Sequence, residues 1–477
     1  MFSYTEVTEE MDIVKTSFSG NLVIVGFGTI AQAVLPLLQE HLDMPQGNVT
    51  VVSPHANRRV IHALGIKLID VALTPSNYEE TLRPLLKKGD FLLNLSVSVS
   101  SFALIQLCAK EGALYLDTSI EPWEGGYTDV ALSVADRSNY ALREQVLDFG
   151  RKNRNAPTAI VCQGANPGVI SALAKQGLLV MAEKCGLSVS PASREEWADL
   201  ACRLNIRTIQ VAEYDSQVIN RNKRIGEFIN TWSVDGLISE SLQPAELGWG
   251  SHEKTLPLDA TTHASGCQSA IMLNAPGASV HVRGWTPLGP YIGFMITHNE
   301  SISIADYLTI RDGDTVRYRP TVFYAYRPSD ATVLSLHEMA GHCWRTPPIQ
   351  TTVSDEITSG EDVLGVLLLG NPGGALWYGS RMSVEKARRL APYNNATSIQ
   401  VAAGVLSGML YAIEHPALGV IEPDDVDHQF MLRVAAPYLG IITGEYSDWS
   451  PVQHRNWPMA EQVDLDDPWQ FSNFRAS

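Results

Sequence analysis

The sequence predicts an α/β protein: a Rossmann-type, doubly wound parallel sheet, joined to a second α+β domain with a largely antiparallel sheet. Three observations carry this expectation. Near the start, "NLVIVGFGTIAQAVLPLLQEHL" passes from an apolar β-branched run through Gly26-x-Gly28 into a helical pattern. Strands then alternate with helices over about 120 residues, as a parallel sheet requires. From about residue 200 to 390, short alternating runs such as "NIRTIQVAEYDS", "ASVHVRGW" and "PTVFYAY" take over.

The first strand is expected over Leu22 to Val25. Gly26 permits a tight turn, and Gly28 lets the backbone approach a pyrophosphate resting on the following helix N-terminus. Ala31 takes the third small position, where helix packs on strand. Gly26, Gly28, Thr29 and Ile30 are therefore candidate cofactor-binding residues. "NVTVVSP", "DFLLNLSVSV" and "ALYLDTS" read as further strands, and "SFALIQLCAKEG" as a helix. At the second strand's end, where an acidic residue often holds a ribose hydroxyl, stand Ser53, Pro54 and His55, with Arg58 and Arg59 beyond. Ser53 is a candidate ribose contact, and the neutral end with nearby arginines leans toward NADP. Asp117 and Thr118 complete the cofactor-binding candidates, because ligands bind outside the carboxyl ends of such strands.

Asn166-Pro167 reads as a helix N-cap and first turn, with Gly186 ending that helix. It marks the crossing into the second domain. "SIQVAAGVLSGMLYAIEHP" is a long apolar helix expected to return to the first domain, leaving acidic "IEPDDVDH" in a loop. The expected organisation is a dinucleotide-binding domain over 1–163, completed by about 392–430. A substrate and dimerisation domain spans 164–391, and a C-terminal extension spans 431–477.

Asp and Glu outnumber Lys and Arg by 52 to 35, a formal charge of −17. That balance disfavours nucleic acid and anionic membranes and suits cationic ligands. Six scattered cysteines without a C-x-x-C pair suit reduced thiols in a cytoplasmic protein. The N-terminus lacks signal-peptide character, and apolar runs such as "VLGVLLLG" are shorter than a membrane span.

Several stretches offer chemistry. Glu121 follows a strand end of the dinucleotide domain. In "TIQVAEYDSQ", alternation puts Val211, Glu213 and Asp215 on one strand face, where two acids need water or a cation. "NTWSVDGLISES" brackets Trp232 with Asp235 and Glu240 and contains no Lys or Arg. A π-face among carboxylates suits a small organic cation. "PAELGWGSHEK" adds Glu246, Trp249, His252 and Glu253, and "GFMITHNES" adds His298 and Glu300. The Glu361-Asp362 pair reads as a solvated element start. "HEMAGH" spaces His337 and His342 five apart rather than the four of a zinc helix, and no G-x-S-x-G elbow occurs. Neither a metal site nor serine chemistry is expected.

Together "GFGTIAQAVLPLL", "DTSIEPW", "GANPGV", "AEYDSQ", "NTWSVDG", "PAELGWGSHE", "YRPTVFYAY" and "NNATSIQVAAGVLSGMLYAIEHP" resemble the bacterial homospermidine synthases, within the saccharopine dehydrogenase-like group. The resemblance spans nearly the whole chain. It implies a homodimer that uses NAD as a bound redox cofactor and condenses two putrescines, or spermidine and putrescine, with release of ammonia. It also implies that Glu121, Asn166, Glu213, Trp232, Glu240, His298 and Asp362 line the substrate pocket. Ala31 and the non-acidic end of the second strand depart from the usual dinucleotide pattern. On the cofactor, the resemblance to NAD users is followed over the arginines.

A carboxynorspermidine- or saccharopine-type reductase is the alternative. Its substrate carboxylate needs an arginine, for which Arg203, Arg207 and Arg283 are available. A nonenzymatic NAD-binding regulator is a third class, and it leaves the Trp–carboxylate cluster without a purpose.

Overall fold

The structure, a computed structural model, describes residues 13–54 and 56–476. Residues 1–12, which carry most of the N-terminal reading, and His55 lie outside the described residues.

Among the described residues, seven parallel strands form the first sheet, in the order Val420–Ile421, Ala159–Ile160, Leu114–Asp117, Phe91–Asn94, Leu22–Val25, Val49–Val52 and Lys67–Ile69. The Leu22–Val25, Phe91–Asn94 and Leu114–Asp117 strands are buried throughout, as a sheet covered on both faces demands. The winding direction reverses between Leu22–Val25 and Phe91–Asn94, so the switch-point crevice opens beside Gly26. There Gly26 has φ +86°, and a Cβ would lie 2.8 Å from the Leu95 carbonyl oxygen. Only glycine fits.

The third expected strand stops at Asn94 instead of running through "SVSV". Ser98 turns to φ +62°, and its N–H donates to Glu121 at 3.3 Å, so residues 95–98 leave the sheet and line the crevice.

Among the described residues the second sheet has eleven strands, and its pairings are antiparallel except one. The exception joins Thr208–Asp215 to Thr321–Arg327 in parallel, with Glu213 opposite Tyr326. On the other flank of Thr208–Asp215 lies Glu361–Leu369, with Asp215 directly opposite Asp362. Strand alternation therefore puts Val211, Glu213, Asp215, Tyr324, Tyr326 and Asp362 on one face. The opposite face buries Ala212, Phe323, Ala325 and Val363 under Phe471 and Phe474 near the C-terminus. Ile441–Ser447 adds an edge strand, and Arg475–Ala476 pairs with His281–Thr286.

Helix Ala396–Glu414 lies between the sheets. It is capped by Asn395 and Ser398 and contacts both Leu114–Asp117 and Ala375–Ser383. With nineteen apolar-rich residues it has the length and hydropathy of a membrane span, longer than the runs weighed in the sequence, yet 83% of its apolar window is buried within the protein. It is a core helix.

Two local expectations are corrected. Asn166 is not an N-cap: the helix runs Val169–Lys184 behind Gly168, whose φ of +130° and contact with the Gly164 backbone admit no side chain. The Asn166 side chain is thereby free to turn toward Glu213. "IEPDDVDH" is not a solvated loop either. Glu422 and Asp424 are buried, Glu422 receives Arg143 Nε and Nη2 at 2.7 and 2.6 Å, and the Asp424 carbonyl accepts Lys175 Nζ at 2.5 Å.

Candidate active site

Two connected hollows lie where the sheets meet. The first is a groove over the glycine turn, lined by Gly26, Gly28, Thr29, Ile30, Ser53 and the 95–99 segment. The Thr29–His41 helix begins behind Gly28 with no side chain capping its N-terminus, and a Cβ on Gly28 would touch nothing. Open space before uncapped helix N–H groups fits a pyrophosphate. Arg58 beside this groove is ion-paired with Asp70, so part of the positive charge behind the NADP reading is already matched.

The second hollow is a cleft of about 1080 Å³, open mouth included. It shares Ile30, Leu95, Ser96, Val97 and Ser233 with the groove. Glu121, Asn166, Glu213, Trp232, Glu240, His298 and Tyr324 stand in its wall, together with Thr118, Tyr127, Gln243 and Asn299. Among the described residues, no Lys or Arg lines it. Three carboxyl groups thus face a common space with His298, paired to Glu240 at 3.2 Å, as the basic group in the wall, which leaves Glu121 and Glu213 to favour a cationic occupant.

Each carboxylate is held from behind. Glu121 follows the Leu114–Asp117 strand, and its backbone exchanges hydrogen bonds with Ser101 at 2.8 and 3.0 Å. Burial, with Glu240 adding like charge, pushes its carboxyl up to about 8. Glu213 accepts from the Tyr324 hydroxyl at 2.6 Å and from Asn166 Nδ2 at 2.9 Å. Those donors favour its charged form, but burial outweighs them and raises it to about 7. Behind Glu213, Asp215 accepts from Gln217 and Thr231, while Asp362 Oδ1 is buried without a protein partner. Burial beside Glu213 and Asp215 holds Asp362 well above the carboxylate range. Asp215 and Asp362 are buried behind Glu213, which alone of the three lines the cleft.

His298 sits at the N-cap of helix Asn299–Tyr307, its Nδ1 3.2 Å from Glu300 and its Nε2 3.2 Å from Glu240. Both ring nitrogens meet carboxylate oxygens, so both are placed to donate. Burial lowers the imidazole, but the two carboxylates outweigh it and raise it well above its ordinary value. The ring packs on Tyr324, centroids 4.3 Å apart, and Tyr324 stacks on Tyr326 at 5.4 Å. Trp232, between strand Glu227–Asn230 and helix Val234–Leu242, donates its indole N–H to the Tyr326 hydroxyl at 3.2 Å.

Of the candidate substrate residues, Glu121, Asn166, Glu213, Trp232, Glu240 and His298 come together in the cleft wall. Asp362 does not reach it; it lies in the layer behind, where antiparallel register sets it against Asp215. Nor is it the solvated element start that its sequence setting suggested. Of the cofactor candidates, Gly26, Gly28, Thr29, Ile30 and Ser53 line the groove, and Thr118 lines the cleft. Asp117 is in neither wall: it is fully buried and accepts from the Cys162 N–H and the Tyr115 hydroxyl, both at 2.7 Å. Glu246 and Glu253 are also internal, accepting backbone N–H groups of Asn139 and Phe471 at 2.8 and 3.0 Å. His252 faces the Trp469 carbonyl at 3.1 Å. No cluster able to hold a metal occurs among the described residues.

Tyr127, Tyr324, Gln243 and Asn299 were not singled out from the sequence. For Tyr324 a signal existed, since "TVFYAY" alternates two tyrosines onto one face. What was missing was the pairing of that strand with Thr208–Asp215.

The saccharopine dehydrogenase NADP binding domain matches residues 22–161, and the saccharopine dehydrogenase C-terminal domain matches 164–447. The chain is 46% identical over 462 residues to a homospermidine synthase of Blastochloris viridis, covering 95% of this chain and 97% of the relative. It is 44% identical to one of Mesorhizobium japonicum, covering 95% and 96%. A homospermidine synthase of Legionella pneumophila, solved in complex with NAD, superposes with a TM-score of 0.91 at 45% identity, covering 97% and 99%.

Proposed function

The chain belongs to the homospermidine synthase family of the saccharopine dehydrogenase group, and from that premise we propose that it joins two putrescines, or spermidine and putrescine, into homospermidine-type products with release of ammonia. The observation that carries this reading is the cleft wall, with three carboxyl groups, an indole, an imidazole already paired to Glu240, and no Lys or Arg among the described residues. A diamine dication fits such a wall. The carboxylated substrate of a reductase does not, because Arg203 pairs with Asp199 and Arg283 with Glu461, and neither these nor Arg207 lines the cleft.

The groove beside the cleft suits NAD, and Gly26, Gly28, Thr29 and Ile30, which line it, would hold the pyrophosphate. The chemistry NAD supplies when bound is acceptance, and later return, of a hydride at an amine-bearing carbon.

The chain's own groups handle cations and protons. Glu213 and Glu240 take the ammonium ends. An alkylammonium, near pKa 10.4 on the lysine scale, must lose a proton before its carbon can release hydride. Glu121 is the base in this reading, since it stands in the cleft wall without a basic side chain bonded to it and burial raises its carboxyl to about 8, toward the amine. His298, held as an imidazolium by Glu240 and Glu300, gives a proton to the departing ammonia. Trp232 offers its π-face to the cations formed between, worth about 2 kcal/mol or more when desolvated.

The packing of helix Ala396–Glu414 on Thr29–His41 supports assigning about 392–430 to the dinucleotide domain. A homodimer in the cytoplasm belongs to the same reading; the family resemblance and six free cysteines support it.

The test is incubation of the NAD-loaded protein with putrescine alone. Homospermidine and ammonia should appear in equal amounts over many turnovers, without accumulation of NADH. Deuterium on the reacting carbons should return to product. Stoichiometric consumption of reduced cofactor with an amino acid and an aldehyde, and nothing from putrescine, sinks the reading.

A further inference from the structure

We infer that Tyr326 and Gly236 act as a two-sided clamp that sets the plane of the Trp232 indole, with Tyr326 a positioning residue that never meets the substrate. The inference rests on the functional reading above, which gives the indole a cation to face.

The two edges of the indole meet different constraints. On the five-membered ring, Nε1–H donates to Tyr326 Oη at 3.2 Å. On the six-membered ring, Cζ3 lies where a Cβ on Gly236 would come within 3.1 Å. Gly236 is inside helix Val234–Leu242, and its φ is not in the left-handed region, so no backbone strain calls for glycine there. Alanine would suit that helix better by intrinsic preference. The position is kept small by the indole on one side and the capping Ser233 side chain, 3.2 Å from the same Cβ, on the other.

Tyr326 is itself closely packed. It is 1% exposed, stacks on Tyr324 with an interplanar angle of 11°, and lies opposite Glu213 in the strand register. Tyr324 in turn donates to Glu213 and backs His298. One strand, Thr321–Arg327, thus fixes the aromatic face, an anchoring carboxylate and the imidazole relative to one another. A cation–π contact depends on the cation lying over the ring face, so an indole rotated about its attachment loses the attraction while keeping its burial.

Two mutant cycles test this, read as homospermidine formation by the NAD-loaded protein. Tyr326→Phe should lower kcat by roughly fivefold or more in the wild-type background, and by less than about twofold when position 232 is already Phe, which has no N–H to hold. Gly236→Ala should lower kcat by roughly fivefold or more, and by clearly less beside Trp232→Phe, where the contact with the Ser233 cap remains but the six-membered indole ring is gone. NAD retention should be unaffected throughout. Should Tyr326→Phe not fold, the Gly236 cycle decides alone. Additive effects in the cycle that can be measured, as general structural damage produces, overturn the clamp. Wild-type protein that makes no homospermidine instead removes the functional reading beneath it.

Discussion

The Nε2 atom of His298 lies 3.2 Å from Glu240 Oε2 in the cleft wall, while the other ring nitrogen faces buried Glu300. An imidazole with a carboxylate at each nitrogen is a proton donor at neutral pH, because both neighbours favour its cation. A neutral base would leave one nitrogen free to accept.

His298→Ala should therefore remove the alkaline limb of the pH–rate profile, where the imidazolium is lost, and lower kcat by about a hundredfold, the lower end for a general acid. The acidic limb should remain. Profiles of kcat and kcat/KM from pH 6 to 10 check this, and loss of the acidic limb instead would make His298 the base.

Binding of a diamine should release protons. At pH 7, Glu121, raised to about 8, is mostly protonated, and Glu213, raised to about 7, is about half so. An incoming dication favours both carboxylates, so about one proton should leave per putrescine bound. Calorimetry in buffers of different ionisation enthalpy measures this directly. Glu121→Gln should abolish most of the release, and wild-type release near zero would contradict the assignment.

Stability in the absence of amine should fall as pH rises. Burial raises Glu121 to about 8 and Glu213, Glu246 and Glu253 to about 7, so the folded chain holds protons that the unfolded chain gives up near its ordinary carboxyl values. Their stabilising effect is complete below about pH 4.5 and is lost as pH climbs through 7 to 8. His298, also raised, acts in the same direction. Below about pH 7 the histidines lowered by burial, His41, His252, His263, His281 and His428, act the other way, so midpoints of unfolding should drop between about pH 7 and 8.5, less steeply in Glu121→Gln, and putrescine should restore more at the alkaline end. A midpoint that rises over that range reverses the sign of the argument.

The two turn glycines should respond differently. Gly28→Val places its side chain in open groove, so the fold should persist while NAD retention is lost. Gly26→Ala sets a Cβ 2.8 Å from the Leu95 oxygen at φ +86°, so it should lower the unfolding midpoint by several degrees. Thermal unfolding and cofactor content after purification separate the two; tight NAD binding by Gly28→Val removes the groove assignment.

Local pattern made much of the molecule legible. The Leu22–Val25 strand, its glycine turn and the Ser101–Glu111 helix ending at Gly112 follow from period, caps and turn residues, all of which act within a few positions. Alternation also placed Glu213 and Asp215 on one face, and an indole among acids already suggested a cation. Asn166 was misread as a cap because the Asn-Pro pair fits that role locally. Its helix starts later, at a glycine pressed against the Gly164 backbone.

What tertiary structure alone decided is which charges share a space. Asp117 reads as a cofactor contact at a strand end and Asp362 as a solvated element start, placed in the pocket only by the resemblance; folding turns the first into the core and register sets the second against Asp215, one layer behind the cleft. Tyr326 reads as half of an aromatic pair, and only the parallel pairing of Thr321–Arg327 with Thr208–Asp215 makes it the partner of an indole 94 residues away. Propensity and period are properties of neighbouring residues and can be read along a chain. A pKa raised by burial, or a hydrogen bond that orients a ring, depends on groups brought together by folding and has no signature at either position alone.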